Sequence, residues 1–183
     1  PTEWMKNEYN DLVKKGFDWK PPVIGGPSTG RTVIDGKERI MLCANNYLSM
    51  SNHPKVKQAA IDAVKSHGAG SGSVRPIAGN MDIHNELEET IARFKNREAA
   101  LYYQTGFAVN SGLIPQLAGK NDAIISDQLN HGSIIDGVRL SGVKKENRTI
   151  YAHNDMGELE DRLKEATNKC EKTLVISDGV FSM

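Results

Sequence analysis

Apolar residues recur at helical spacing in six stretches of this chain, and short apolar runs lie between the later ones. Trp4, Met5, Leu12 and Val13 give residues 3–15 the stripe of a short amphipathic helix. A Pro/Gly-rich stretch runs from Gly16 to Gly30. Thr32-Val33-Ile34 and Arg39-Ile40-Met41-Leu42 then flank Asp35-Gly36-Lys37, and the Asp-Gly step favours the positive φ angles of a hairpin turn. Pro54 suits the first turn of a helix bearing Val56, Ala59, Ala60, Ala63 and Val64, which stops at Gly68. Asp82 is the expected N-cap of the next helix, with Ile83, Leu87, Ile91 and Phe94 on one face.

From residue 99 the two periods alternate. Ala99–Tyr103, Ala123–Ser126, Thr149–Tyr151 and Thr173–Ser177 read as strands. Between them, Phe107–Leu117, Ile134–Leu140 and a stretch with Leu159, Leu163 and Ala166 read as helices, the last capped by Asp155 with Glu158. Strands and helices at this spacing predict βαβ units, hence an α/β fold with a mostly parallel sheet. Residues 1–45 form an N-terminal helix, arm and hairpin, too polar and Gly/Pro-rich for a core of their own. Residues 46–183 carry the α/β pattern.

Such sheets bind ligands beyond the carboxyl ends of their strands. The residues following each expected strand are Gln104-Thr105-Gly106-Phe107, then Asp127, Asn130 and His131, then His153-Asn154, then Asp178-Gly179 and Ser182. Small, polar and imidazole groups collect at one edge, as in a cofactor or substrate cleft. Thr105-Gly106-Phe107 stands where a strand turns into a helix. Its free N–H groups and the helix dipole suit a phosphate, although an N-cap followed by a tight turn would give the same letters. His131 precedes a helix start, where an imidazole can stack on a planar cofactor, act as acid or base, or merely cap.

Composition narrows the field. The chain has 183 residues with 23 Lys+Arg against 23 Asp+Glu, so it lacks the basic excess of a general nucleic-acid binder. No apolar run approaches the ~20 residues of a membrane-spanning helix. The opening residues lack the basic and apolar regions of a secretory signal. Cys43 and Cys170, without a CxxC, point to a reduced, cytoplasmic protein. No His/Cys cluster has metal-ligand spacing, so no metal is expected. The glycine run at 68–73 has Ser73 at the third glycine position and follows a helix, which excludes a dinucleotide fingerprint. A P-loop and a G-x-S-x-G elbow are absent as well.

Six motifs in order resemble one family. They are Cys43-Ala44-Asn45-Asn46-Tyr47-Leu48; Gly70-Ser71-Gly72-Ser73-Val74-Arg75-Pro76-Ile77-Ala78-Gly79; His84-x-x-Leu87-Glu88; Thr105-Gly106-Phe107-Ala108-Val109-Asn110; Ser126-Asp127-x-x-Asn130-His131-x-Ser133-Ile134-Ile135-Asp136-Gly137; and Asp178-Gly179-Val180-Phe181-Ser182-Met183. The chain is similar to the α-oxoamine synthases, pyridoxal-phosphate (PLP) enzymes of the aspartate-aminotransferase fold, type I. Within them it most resembles glycine C-acetyltransferases (2-amino-3-ketobutyrate CoA ligases), with 8-amino-7-oxononanoate synthases second. The resemblance implies an incomplete large domain over 46–183 behind an N-terminal arm. It implies that Gly106 and Phe107 hold the PLP phosphate, that His131 stacks on the ring and is catalytic, and that Ser182 bonds the phenolic oxygen. Asn45, with His131, would contact the amino-acid substrate, Asn45 in the partner subunit's site of a homodimer. Asp178 either supports this pocket or caps a strand end.

The implied reaction is reversible acyl transfer from acetyl-CoA to glycine, giving 2-amino-3-oxobutyrate and CoA, in threonine degradation. The chain would be the N-terminal half of such an enzyme, with the Schiff-base lysine beyond Met183, and inactive by itself. Another α-oxoamine synthase with a longer acyl donor, or a non-catalytic partner subunit lacking that lysine, are the other readings.

Overall fold

The structure is a computed structural model that describes residues 2–182, so Pro1 and Met183, the last letter of the sixth motif, lie outside the described residues. The chain divides into two compact units, one ending at Met81 and the other starting at Asp82.

In the first unit the expected elements form. Helix α1 spans Glu3–Lys14 and buries none of its side chains. Strands β1 (Arg31–Ile34) and β2 (Lys37–Ile40) pair antiparallel, with Ile34 opposite Lys37. The two-residue turn between them has φ of 48° at Asp35 and 75° at Gly36, the positive pair that matches the twist of a hairpin. Lys37 therefore belongs to the strand rather than the turn. Ile24 adds an antiparallel bridge to Ile34. Helix α2 (Pro54–His67) starts with Pro54 in its first turn, and the His53 ring accepts the Lys55 N–H at 3.3 Å.

The second unit holds α3 (Asp82–Lys95), α4 (Gly106–Leu117), β3 (Ala123–Asp127), α5 (Gly132–Leu140), β4 (Arg148–Tyr151), α6 (Met156–Thr167) and β5 (Thr173–Ile176). Its sheet has the order β4-β3-β5, with both pairings parallel. All five residues of the central strand β3 are buried, which is why it reads as an unbroken run with no polar alternation until Ser126. Side chains alternate across a strand, so Ile124 and Ile125 point to opposite faces. Ile124 packs with Ile114, Ala118, Ile134 and Val143 under α4 and α5. Ile125 packs with Ala123, Tyr151 and Ala166 under α6. Both isoleucines are fully buried, and burying such a side chain stabilises by about 1.5–3 kcal/mol each.

One expected strand does not form. Residues 99–103 have no ladder partner among the described residues. Instead the Tyr102 N–H donates to Glu88 Oε1 at 2.8 Å, and the Tyr102 ring stacks on His84 with centroids 6.2 Å apart. A strand needs a neighbouring backbone to take its N–H groups, and this segment gives one of them to a carboxylate on α3. Among the described residues no helix is long and apolar enough to cross a membrane.

Candidate active site

The carboxyl ends of β3, β4 and β5 carry most of the residues singled out by the sequence. Asn130, buried after β3, ties two strand ends together: its Nδ2 donates to Ser126 Oγ at 2.9 Å and to the Ile176 carbonyl at 2.8 Å. Its Oδ1 accepts the Asp178 N–H at 2.8 Å. Asp178 Oδ2 in turn accepts the His131 N–H at 2.7 Å. Asp178 thus fixes the loop that bears His131.

His131 is the N-cap of α5. Its Nδ1 accepts the Ser133 N–H at 3.1 Å and lies 2.7 Å from Ser133 Oγ. The capping role that the sequence left open is real, and it orients the ring without excluding a ligand, because the residue remains exposed. Thr105 caps α4 in the same manner, its hydroxyl accepting the Ala108 N–H at 3.0 Å. The first backbone bond of α4 runs from Val109 N–H to the Thr105 carbonyl at 3.1 Å, so the N–H groups of Gly106 and Phe107 precede the helical ladder.

The two helices that start here are joined near their N-termini. Asn110 Nδ2, one turn into α4, donates to Ser133 Oγ at 3.0 Å in the first turn of α5. A Cβ on Gly137 would stand 2.4 Å from the Asn110 carbonyl oxygen, so only glycine permits this approach. Two positive helix ends therefore open on the same side of the α4–α5 pair, a setting suited to a dianion.

Asp127, at the end of β3, is buried. Burial pushes its carboxyl up, but the Leu129 N–H at 2.8 Å, the His153 ring and the Asn154 N–H outweigh this and hold it below the usual carboxylate value. His153 Nδ1 sits 3.0 Å from Asp127 Oδ1. The sequence places His153 just past a strand end, but gives no sign of its pairing with Asp127.

Ser182 is exposed at the end of the segment following β5. Asn45 lies in the first unit and is exposed there, while its neighbour Asn46 is held by Nδ2 bonds to the Ser28 carbonyl at 2.9 Å and Ser51 Oγ at 2.7 Å. Gly106, Phe107, His131 and Ser182 thus all belong to the second unit. No group of three or more His, Cys, Asp or Glu side chains is set to hold a metal among the described residues.

Comparison with known proteins gives this edge its context. The family model for class I and II aminotransferases matches residues 37–183. Curated 8-amino-7-oxononanoate synthases are similar along the chain: that of Treponema denticola is 49% identical over 181 residues, covering 99% of this chain and 45% of the relative. That of Symbiobacterium thermophilum is 48% identical over 182 residues, 100% of this chain and 46% of the relative. Among solved structures, a Sphingomonas wittichii serine palmitoyltransferase superposes with a TM-score of 0.86 at 30% identity, covering all of this chain and 45% of that one. An 8-amino-7-oxononanoate synthase from Francisella tularensis does so with a TM-score of 0.56 at 25% identity, over 73% of this chain and 43% of that one. The chain spans less than half the length of these relatives. Its three-layer edge with two converging helix ends has the PLP-dependent aminotransferase-like architecture, and the chain belongs to the class I and II aminotransferase family.

Proposed function

We propose that the protein of which this chain forms part is a PLP-dependent α-oxoamine synthase that makes an 8-amino-7-oxononanoate-type product. The product's name gives its chemistry: an α-amino ketone with a distant carboxylate. Its amine-bearing carbon and methyl group are alanine without the carboxyl, and its other seven carbons are an ω-carboxyacyl group delivered as a thioester. The relatives support this reading over the glycine and acetyl-CoA pair of the glycine C-acetyltransferases, and with it over a role in threonine degradation. We keep residues 1–45 as an arm and 46–183 as the first part of the cofactor domain. Activity then belongs to the longer protein, cytoplasmic in keeping with the free Cys43 and Cys170, and the 183-residue segment alone is inactive.

The observation that carries the reading is the pairing of the α4 and α5 N-termini at the carboxyl edge of a parallel sheet. This donor set fits PLP. The Gly106 and Phe107 N–H groups would take the phosphate, and the His131 ring, held at Nδ1 by Ser133 on a backbone fixed by Asp178, would stack on the pyridine. Ser182 donates to the phenolic oxygen. When bound, the cofactor draws electrons away from the substrate Cα so that its proton can leave. His131 orients the reacting face and stabilises the oxygen of the incoming acyl group. Asn45 holds the substrate carboxylate from the partner subunit of a homodimer.

The test is CoA release by the full-length protein reconstituted with PLP. Alanine with a seven-carbon ω-carboxyacyl thioester is expected to exceed glycine with acetyl-CoA in kcat/KM by at least tenfold. The reverse order restores the glycine C-acetyltransferase reading. Release from neither pair favours a non-catalytic subunit.

A further inference from the structure

β3 and β4 run side by side, yet the helices that follow them pack on opposite faces of the sheet: α5 on the Ile124 side and α6 on the Ile125 side. The connections leaving their carboxyl ends therefore diverge to opposite faces, and such a switch point is where open α/β sheets take ligands. Asp127 closes β3 at this switch point, and His153 stands two residues past β4. His153 Nδ1 is 3.0 and 3.2 Å from the two oxygens of the buried Asp127 carboxylate. The N–H groups of Leu129 and Asn154 hold the same carboxylate at 2.8 and 3.4 Å, so it cannot turn away and it fixes the imidazole plane.

Among the described residues the fixed ring has one aromatic neighbour. Phe181 meets His153 edge to face, with centroids 4.5 Å apart and planes at 72°. Such a contact is directional as well as apolar. Phe181 directly precedes Ser182. The segment 178–182 is thus anchored twice, at Asp178 through Asn130 and His131, and at Phe181 through His153. Without the second anchor, Ser182 is four residues from the nearest fixed point.

We propose that His153, oriented by Asp127, is a positioning residue for the cofactor: its ring seats Phe181 and so sets where Ser182 presents its hydroxyl. This rests on the reading of Ser182 as the donor to the PLP phenolic oxygen. That oxygen is part of the chromophore, so its hydrogen bonding registers in the absorption spectrum whether or not the enzyme turns over.

The experiment titrates full-length apoprotein with PLP and records affinity and the absorption maximum for Ser182→Ala, His153→Ala, His153→Gln and the Ser182→Ala/His153→Ala double variant. His153→Gln keeps a donor for Asp127 but no ring, and carries the test if the alanine variant fails to fold. Loss of one such hydrogen bond corresponds to about tenfold in affinity. Ser182→Ala and both His153 variants are expected to weaken PLP about tenfold and to move the band in the same direction. The double variant should be no worse than either single one. Wild-type spectra and affinity in the His153 variants, with Ser182→Ala impaired, would overturn the positioning role and leave the Ser182 reading intact; additive losses would do the same. A Ser182→Ala variant indistinguishable from wild type removes both.

Discussion

His131 bonds through two separate groups, and the two separate its effects. The backbone N–H is taken by Asp178, and the ring Nδ1 takes the Ser133 N–H. His131→Ala in the full-length protein is therefore expected to lose the α5 cap, on the order of 1 kcal/mol, while the Asp178 bond still holds the loop. Turnover should fall further, by roughly ten- to ten-thousand-fold, the span of acid–base groups. Melting curves with steady-state kinetics check both, and unchanged turnover returns the residue to capping alone. Asp127 yields a pH prediction. Its folded value is lowered, so its contribution is fully present above the ordinary carboxylate value near ~3.9 and is lost as pH falls through the lowered value. The urea midpoint of wild type minus that of Asp127→Asn should stay flat above about pH 5 and shrink below about pH 4. A difference that grows on acidification contradicts the assignment. Gly106, His131 and Asp178 could be found in the sequence because each directly follows a strand or opens a helix. His153 could be placed at the same edge, but its pairing could not be read, because its partner Asp127 is 26 residues away in sequence and adjacent only after β3 and β4 pair.

At the scale of elements, the α4–α5 contact links packing to the site. A methyl group at Gly137 would meet the Asn110 carbonyl oxygen at 2.4 Å and Ile114 Cδ1 at 2.9 Å. Gly137→Ala must push the helices apart, at about 1–3 kcal/mol for overpacking, and this strains the Asn110–Ser133 bond that pairs their N-termini. The expected outcome is a lowered melting temperature together with weaker PLP binding. A variant that melts early yet binds PLP normally would show that the pairing of the helix ends does not serve the phosphate. Helix α6 shows why most elements were legible. Asp155 accepts the Glu158 N–H at 2.9 Å, as its letters announce, and Glu158 reaches back to the Ala152 N–H at 2.7 Å rather than to the cap itself. Caps, hairpin turns and apolar periods are local, and each is written within a few residues. The strand expected at 99–103 failed for the opposite reason. Its letters suit a pleated, half-buried strand, but pairing requires a second backbone, and the Tyr102 N–H found Glu88 instead. The π-type turn at Arg75–Gly79 likewise had no periodic signature to announce it.

For the whole molecule, the question is which surfaces are shared. In the first unit α1 and α2 bury no side chain, although both carry apolar stripes, and Leu42 and Leu48 beside Asn45 are 90% and 83% exposed. Apolar groups left open in this number mark a surface that meets another. The proposed homodimer assigns that role to the arm, with Asn45 serving the partner subunit's site and His131 serving its own. Complementation distinguishes this from an unshared site. Full-length Asn45→Ala and His131→Ala proteins, each impaired alone, are mixed under conditions that allow subunit exchange. In a mixed dimer with shared sites, one site collects both defects and the other has neither. Random exchange between equal amounts gives about half the dimers this composition, so activity should return to about a quarter of wild type, one working site in every two dimers. If Asn45 serves its own subunit, every site in the mixed dimer keeps one defect and activity stays at the average of the two parents. Exchange is followed independently with differently tagged subunits, so a flat result after proven exchange assigns Asn45 to its own chain's site or to none.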